Sequence, residues 1–290
     1  MAAGRPASAP SAPPSPAPAQ DVIAAPLAHL RWGPADAPAC VVLVHGIGGG
    51  RQAWGDDLSG TGRALAAAGY GTVAVDLPGY GASATPATSD IAGLAAGLRA
   101  LVGWLQSERI AIVGHSLGGM VAQELMVEPP KRVQALVLCA TSPAFGKPGG
   151  AWQAEFVAQR LAPLDAGRGM SALAPGLALG MASPSAPHDA VARAALLMSG
   201  VPESTYRQAL QALIGFDRRE ALAALRVPLL CLAGSDDRIA PPGMMQKMAA
   251  EVPGAEFHMM SGVGHLANLE APRAFNNALL EFLLRRFPLS

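Results

Sequence analysis

The pentapeptide Gly114-His115-Ser116-Leu117-Gly118 constrains this chain more than any other stretch of it. An apolar, β-branched run, Ile110-Ala111-Ile112-Val113, comes before it. After it, apolar residues at helical spacing run from about Leu117 to Val127, where Pro129 ends the pattern. A strand that becomes a helix within so few residues needs a turn too tight for side chains two positions before and two after the serine. Glycine at both positions meets that demand. The turn lifts the Ser116 hydroxyl above the sheet end and aims a helix N-terminus at whatever oxygen reacts there. A glycine-rich turn with an incidental serine is the bland alternative, and the flanking strand and helix weigh against it.

The rest of the chain repeats this rhythm. Val41-Val42-Leu43-Val44, Thr72-Val73-Ala74-Val75-Asp76, 110–113, 133–138, 228–233 and 257–260 read as strands. Between them lie Ala/Leu-rich stretches, including 63–68 stopped by Gly69, 91–106 and a last helix over 272–286. That alternation marks βαβ units on a parallel sheet. From 143 to 215 it breaks: no strand-like run occurs, and 153–161, 189–198 and 203–214 fit amphipathic helices. The expected organisation is a disordered Ala/Pro/Ser-rich tail over 1–21, an α/β core formed by 22–142 and 216–290, and a helical cap inserted at 143–215.

Bulk properties narrow the function. A chain of 290 residues with 51% hydrophobic content can bury one large core. Basic and acidic residues balance at 21 each, which gives no electrostatic footprint for nucleic acid or an anionic membrane and suits a small-molecule ligand. Cys40, Cys139 and Cys231 each sit in an apolar run without CxxC spacing, so reduced core thiols in a cytoplasmic protein are expected. The tail lacks the apolar centre of a signal peptide, and no stretch is long and apolar enough for a membrane span.

A serine needs a base, and the base needs an acid to orient it. Gly234-Ser235-Asp236-Asp237 directly follows one strand and Gly262-Val263-Gly264-His265 follows another. Strand carboxyl ends are where open α/β sheets place their sites, so Ser116, His265 and one of the two aspartates converge on one edge. Asp76 ends a strand too, but it reads as turn structure with Pro78-Gly79. His45-Gly46-Ile47-Gly48-Gly49-Gly50 brings backbone close to a ligand, and the N–H groups of Ile47 and Leu117 are the expected oxyanion donors. A phosphate loop fails because no G-K-[ST] follows. His45, His115, His29, His188 and His258 take structural readings, and no histidine spacing suggests a metal; neither metal nor cofactor is expected. The cap residues Trp152, Phe156, Met170, Met181, Met198 and Tyr206 read mainly as packing, with some facing a pocket. Solvated surface is the default for Arg160, Arg168, Arg193 and Arg207, although any of them could pair with a substrate carboxylate.

Together, His45-Gly46, Asp76-Leu77-Pro78-Gly79-Tyr80-Gly81, the Gly-His-Ser-Leu-Gly-Gly turn, the 234–241 segment and Gly264-His265 through Glu270-Ala271-Pro272 resemble the α/β-hydrolase superfamily over about Val22 to Pro288. The resemblance implies the α/β-hydrolase fold with a helical cap over the site, and the chain order Ser, acid, His. It also implies Asp237, rather than Asp236, as the acid. The 264–270 segment looks most like 3-oxoadipate enol-lactonases and related esterases. Dehalogenases and epoxide hydrolases of this fold would carry Asp where Ser116 stands. Carbon–carbon hydrolases of aromatic meta-cleavage products usually have Asn and Trp where this chain has His115 and Leu266. The expected function is therefore serine hydrolysis of a small carboxylic ester or lactone. A carbon–carbon hydrolase and a non-catalytic small-ligand receptor are the alternatives. Apolar cap residues serve either a pocket or a homo-oligomer contact, which leaves the oligomeric state open.

Overall fold

The computed structural model describes residues 18–55, 60–147 and 149–289. Most of the expected tail, 1–17, lies outside the described residues. Its expected boundary at 21 needs correction, because β1 (Gln20–Val22) pairs antiparallel with β2 (His29–Trp32). The side chains of this segment offer little to bury, so it is the ladder hydrogen bonds of an edge strand that order it. The strand β2 escapes a search for β-branched runs because it carries His29 and Arg31, yet all four of its residues are buried.

The remaining strands are β3 (Ala39–Val44), β4 (Gly71–Val75), β5 (Arg109–His115), β6 (Val133–Cys139), β7 (Leu229–Gly234) and β8 (Glu256–Met260). They form one sheet in the order β1-β2-β4-β3-β5-β6-β7-β8. It is parallel from β4 to β8, with β2 antiparallel to β4. The register places Val44 beside Gly114 and Gly114 beside Leu138, so the carboxyl ends of β3, β5 and β6 are level. This is the α/β-hydrolase fold expected from the sequence.

Both faces are covered over the inner strands, which is why β3, β4 and β7 are buried along their whole length. Val42, Val44, Ile110 and Ile112 pack on one side beneath α2 (Ile91–Trp104) and α3 (Leu117–Leu125). Val41, Leu43, Ala111 and Val113 face the other, where α1 (Thr61–Ala67) contributes Leu65. Asp90 caps α2 by accepting the Gly93 N–H at 2.7 Å. Each fully buried Val, Leu or Ile contributes about 1.5–3 kcal/mol.

Between β6 and β7 the chain runs through α4 (Ala151–Asp165), α5 (Met170–Met181), α6 (His188–Ser199), α7 (Glu203–Ile214) and the short α8 (Arg219–Leu222). Its entry and exit are joined: the Phe145 N–H donates to the Phe216 carbonyl at 3.1 Å, and the Arg218 N–H to that of Pro143 at 2.7 Å. The sequence did not announce α5, which holds Pro175, Gly176 and Gly180. Small residues there and on α6 (Ala174, Ala178, Ala190 and Ala194) let the two helices pack closely, and tertiary contact outweighs poor helix propensity. After β7 come α9 (Pro242–Ala250), α10 (Ala267–Glu270) and α11 (Pro272–Arg286), the last of which places Phe275, Leu279 and Phe282 against the sheet face opposite α2 and α3.

Candidate active site

Ser116 joins β5 to α3 with φ 53° and ψ −118°, a conformation rarely occupied by a residue with a side chain. Such a position costs about 1–3 kcal/mol and persists only when its surroundings enforce it. Here they do: the Ser116 N–H donates to the Cys139 carbonyl at 2.9 Å, and the Thr141 hydroxyl donates to the Ser116 carbonyl at 2.7 Å. The flanking glycines are obligatory. A Cβ on Gly114 would lie 2.5 Å from the Gly118 carbonyl oxygen, and one on Gly118 would lie 2.6 Å from that of His45.

His265 follows β8 and reaches Ser116 from the other side, its Nε2 lying 2.9 Å from the Ser116 Oγ. Its Nδ1 meets the Asp237 Oδ2 at 2.8 Å. Because that carboxylate only accepts, Nδ1 carries the proton and Nε2 is left to accept from the serine. Asp237 and His265 are 3% and 2% exposed, so water does not compete for the pair. Burial pushes the Asp237 carboxyl up. The His265 ring, with the Ala240 and Ile239 N–H groups on Oδ1, outweighs it and holds the carboxyl below the usual aspartate value. Asp236 accepts the Ser235 hydroxyl, while Asp237 itself ties the turn.

Ile47 and Leu117, the two expected oxyanion donors, both line the same cavity as Ser116. Leu117 is the first residue of α3, where an N–H has no partner within the helix. The peptide that carries the Ile47 N–H is oriented through its carbonyl, that of Gly46, which accepts the Gly49 N–H at 3.0 Å and the His45 Nδ1–H at 2.7 Å. In a trans peptide the N–H points opposite to the carbonyl, so these bonds fix where the Ile47 donor aims. His45 is held in that tautomer because its Nε2 accepts the Leu77 N–H at 3.0 Å. Burial lowers the His45 pKa and keeps the ring neutral. Both His45 ring nitrogens are thus spent on backbone groups, and the residue holds the turn that carries Ile47. The buried Tyr80 hydroxyl, donating to the Ile47 carbonyl at 3.0 Å, pins the next peptide of the turn.

Two further residues act on His265. The His115 Nε2–H donates to the His265 carbonyl at 2.8 Å. Burial, followed by the charge of the neighbouring His265, takes the His115 pKa down to about 4, so it stays neutral. Glu270 is the residue that sequence reasoning passed over. Its Oε2 accepts the N–H groups of Gly264 at 2.9 Å and Ser183 at 3.0 Å, and its Oε1 accepts that of Leu266 at 3.0 Å. The residues on either side of His265 are therefore clamped by one buried carboxylate, while the His265 N–H donates to the Met181 carbonyl at 2.9 Å. The signal was present as an acidic residue five positions after the histidine. Nothing local in the sequence says that this carboxylate folds back on the loop.

Ser116, His265, Ile47 and Leu117 open onto a cavity of about 600 Å³. Trp152, Phe156, Met181, Met198 and Tyr206 from the cap line it, whereas Met170 is buried in the core cluster. Of the cap arginines, Arg160 reaches the cavity wall, and Arg207 is paired with Asp165 and Glu203 at the surface. Among the described residues no cluster of His, Cys, Asp or Glu has the arrangement of a metal site. Chemically, the arrangement can deprotonate a hydroxyl, hold an oxyanion between two backbone donors, and return the proton to a leaving group.

Residues 41–278 match the alpha/beta hydrolase family. The chain is an α/β-hydrolase. A relative from Variovorax paradoxus, named as a carbamate hydrolase, RutD, is 34% identical to this α/β-hydrolase over 90% of its chain and 97% of the relative's. The 3-oxoadipate enol-lactonase 2 of Acinetobacter baylyi is 26% identical over 93% of this chain and 96% of its own. A crystal structure of a hydrolase from Pseudomonas aeruginosa superposes with a TM-score of 0.76 at 28% identity, covering 91% of this α/β-hydrolase and 98% of that chain. The protein is thus a hydrolase.

Proposed function

We propose that this α/β-hydrolase cleaves a small carboxylic ester or lactone through an acyl-enzyme on Ser116. The supporting observation is the hydrogen-bonded series Ser116–His265–Asp237, at 2.9 and 2.8 Å, opening onto the large cavity. The Ser116 Oγ attacks the carbonyl carbon as His265 Nε2 takes its proton, and the Ile47 and Leu117 N–H groups hold the resulting oxyanion. Collapse of that intermediate expels the alkoxide, which His265 protonates. Water then attacks the acyl-enzyme, giving its proton to His265 and releasing the acid with Ser116 restored. Loss of one oxyanion donor in such sites costs about 3–4 kcal/mol of transition-state stabilisation.

The relative named as a lactonase supports the lactone half of this reading. The relative named as a carbamate hydrolase adds a third carbonyl class whose oxyanion the same two N–H groups would hold. Among the described residues no helix is long and apolar enough to cross a membrane, and the three cysteines are buried and unpaired. Unpaired thiols fit the reducing cytoplasm, where we place the enzyme.

The test is labelling by a fluorophosphonate probe with peptide mapping, run beside an ester, lactone and carbamate panel. Modification at Ser116 that disappears in His265→Ala is expected. Folded protein that resists the probe and leaves every panel member intact would overturn the reading in favour of a ligand-binding role.

A further inference from the structure

The cavity wall carries positive charge without a counter-charge. Arg160 of α4 and Arg238 of the β7–α9 loop both line it, and none of its lining residues is Asp or Glu. Neither arginine forms an ion pair among the described residues. The acids next to Arg160 on its own helix are engaged elsewhere: Asp165 pairs with Arg207, and Glu155 accepts the Gln159 amide. The acids flanking Arg238 are committed as well, Asp237 to His265 and Asp236 to the Ser235 hydroxyl.

Arg160 is held in place rather than trailing into solvent. It is half-buried, and its guanidinium carbon lies 3.4 Å from the Phe156 ring centroid. One Nη donates to the Phe156 carbonyl at 3.1 Å, and the buried Tyr206 lines the same cavity. A guanidinium has five N–H donors in a rigid plane, and these contacts leave most of them unused. Partial burial of an unpaired cation costs solvation energy, which a fixed carboxylate partner would offset through two parallel hydrogen bonds.

We propose that the substrate's acyl portion carries a carboxylate, and that Arg160 binds it, with Arg238 at the cavity edge adding to the same positive field. This rests on the acyl-enzyme reading. The acyl group is placed here, rather than the leaving alcohol, because it must stay anchored in the cavity while water enters and cleaves it. Ser116 and Arg160 then act as the two ends of a gauge. Ester carbonyl and carboxylate must be separated by the distance between them, with the intervening chain packed on Phe156, Trp152 and Leu210.

The experiment uses the phenyl half-esters of the straight-chain diacids from succinic to suberic, each paired with the same ester bearing a terminal carboxamide. The pairs are nearly isosteric and differ in charge and in the carboxamide's exchange of one acceptor oxygen for an NH2 donor. At the best chain length the carboxylate is expected to exceed its carboxamide in kcat/KM by about ten- to a hundredfold, the range of a charge-assisted hydrogen-bonded pair. In Arg160→Gln that ratio is expected to fall to near unity, and in Arg160→Lys to recover in part. Equal rates within every wild-type pair, or a ratio unchanged in Arg160→Gln, would overturn the assignment. Competitive inhibition of the wild-type enzyme by the free diacid, set against its diamide, tests the same point without a variant. Fluorophosphonate labelling of Ser116 in the same preparation separates the two readings. Labelled enzyme without charge preference removes the carboxylate site alone, and absence of both labelling and hydrolysis removes the serine mechanism with it.

Discussion

The sheet edge and the cap solve different problems with different residues. At the sheet edge each reacting atom is placed by short hydrogen bonds between groups that are almost fully buried: Asp237 to His265, His45 to Gly46, Glu270 to the His265 loop. The cap meets the same cavity with long apolar or stacked side chains, among them Trp152, which is 54% exposed, and Met181 and Met198. Rigidity therefore resides around Ser116 and His265, the groups proposed to react, and adaptability along the cap side of the cavity. The division has one crossing point. Met181 and Ser183, at the end of α5, bond to the His265 N–H and to Glu270, so this end of the cap belongs to the rigid half.

The largest effect should come from the sheet edge. Ser116→Ala is expected to reduce kcat by about a thousandfold or more while thermal unfolding is unchanged or improved, since alanine relieves no packing and no bond that holds the fold. Activity near the wild-type level in a folded variant would break the contrast at its root.

Glu270→Gln should fall next. An amide has a single acceptor oxygen, so one side of the clamp around His265 is lost. A small displacement of a base costs about a hundredfold in rate, and a fall of that order in kcat with little change in KM is expected. A purely structural role would lower the melting temperature and leave the kinetics of the folded fraction intact.

Acid should undo the sheet edge by a predictable route. The His115 pKa falls from 6.5 to about 4 on folding, so the unfolded chain binds the proton more readily in between. Its contribution is present in full above pH 6.5 and is lost as pH falls towards 4. The lowered values of His45, His29 and Asp237 act in the same direction. At pH 5 His115 alone is expected to remove about 2 kcal/mol relative to pH 7, read from urea unfolding at the two pH values. His115→Gln keeps a side-chain donor without the titration and should flatten that dependence. An unchanged slope in the variant would remove His115 from the account.

The smallest effect belongs to the cap. Trp152→Ala is expected to raise KM by about two- to fivefold with kcat nearly constant, because it trims the substrate's contact surface and leaves the reacting atoms in place. A drop in kcat matching that of Glu270→Gln would mean that the two halves are not separable.

Much of the sheet edge was legible because its signals are local. The glycine at 114 is demanded by the Gly118 carbonyl that the tight turn itself brings near, although the one at 118 is demanded by the carbonyls of Val44 and His45 at the end of the neighbouring strand. Apolar runs identify buried parallel strands without reference to distant residues. The sequence alone also placed Ser116, His265, Ile47, Leu117 and one of Asp236 and Asp237 at one edge, because each follows a strand and parallel strands end on the same side, and the family resemblance chose Asp237. Other features are long-range and were decided only by the tertiary structure. The strand β2 is a strand because it pairs with β4, despite His29 and Arg31. The helix α5 survives Pro175 and its glycines because α6 packs against it. Glu270 turns back on the histidine loop, and Arg160 reaches the cavity instead of the solvent expected for it. Local chemistry is encoded by neighbours in sequence; which distant groups a carboxylate or a guanidinium meets depends on packing energy summed over the whole core.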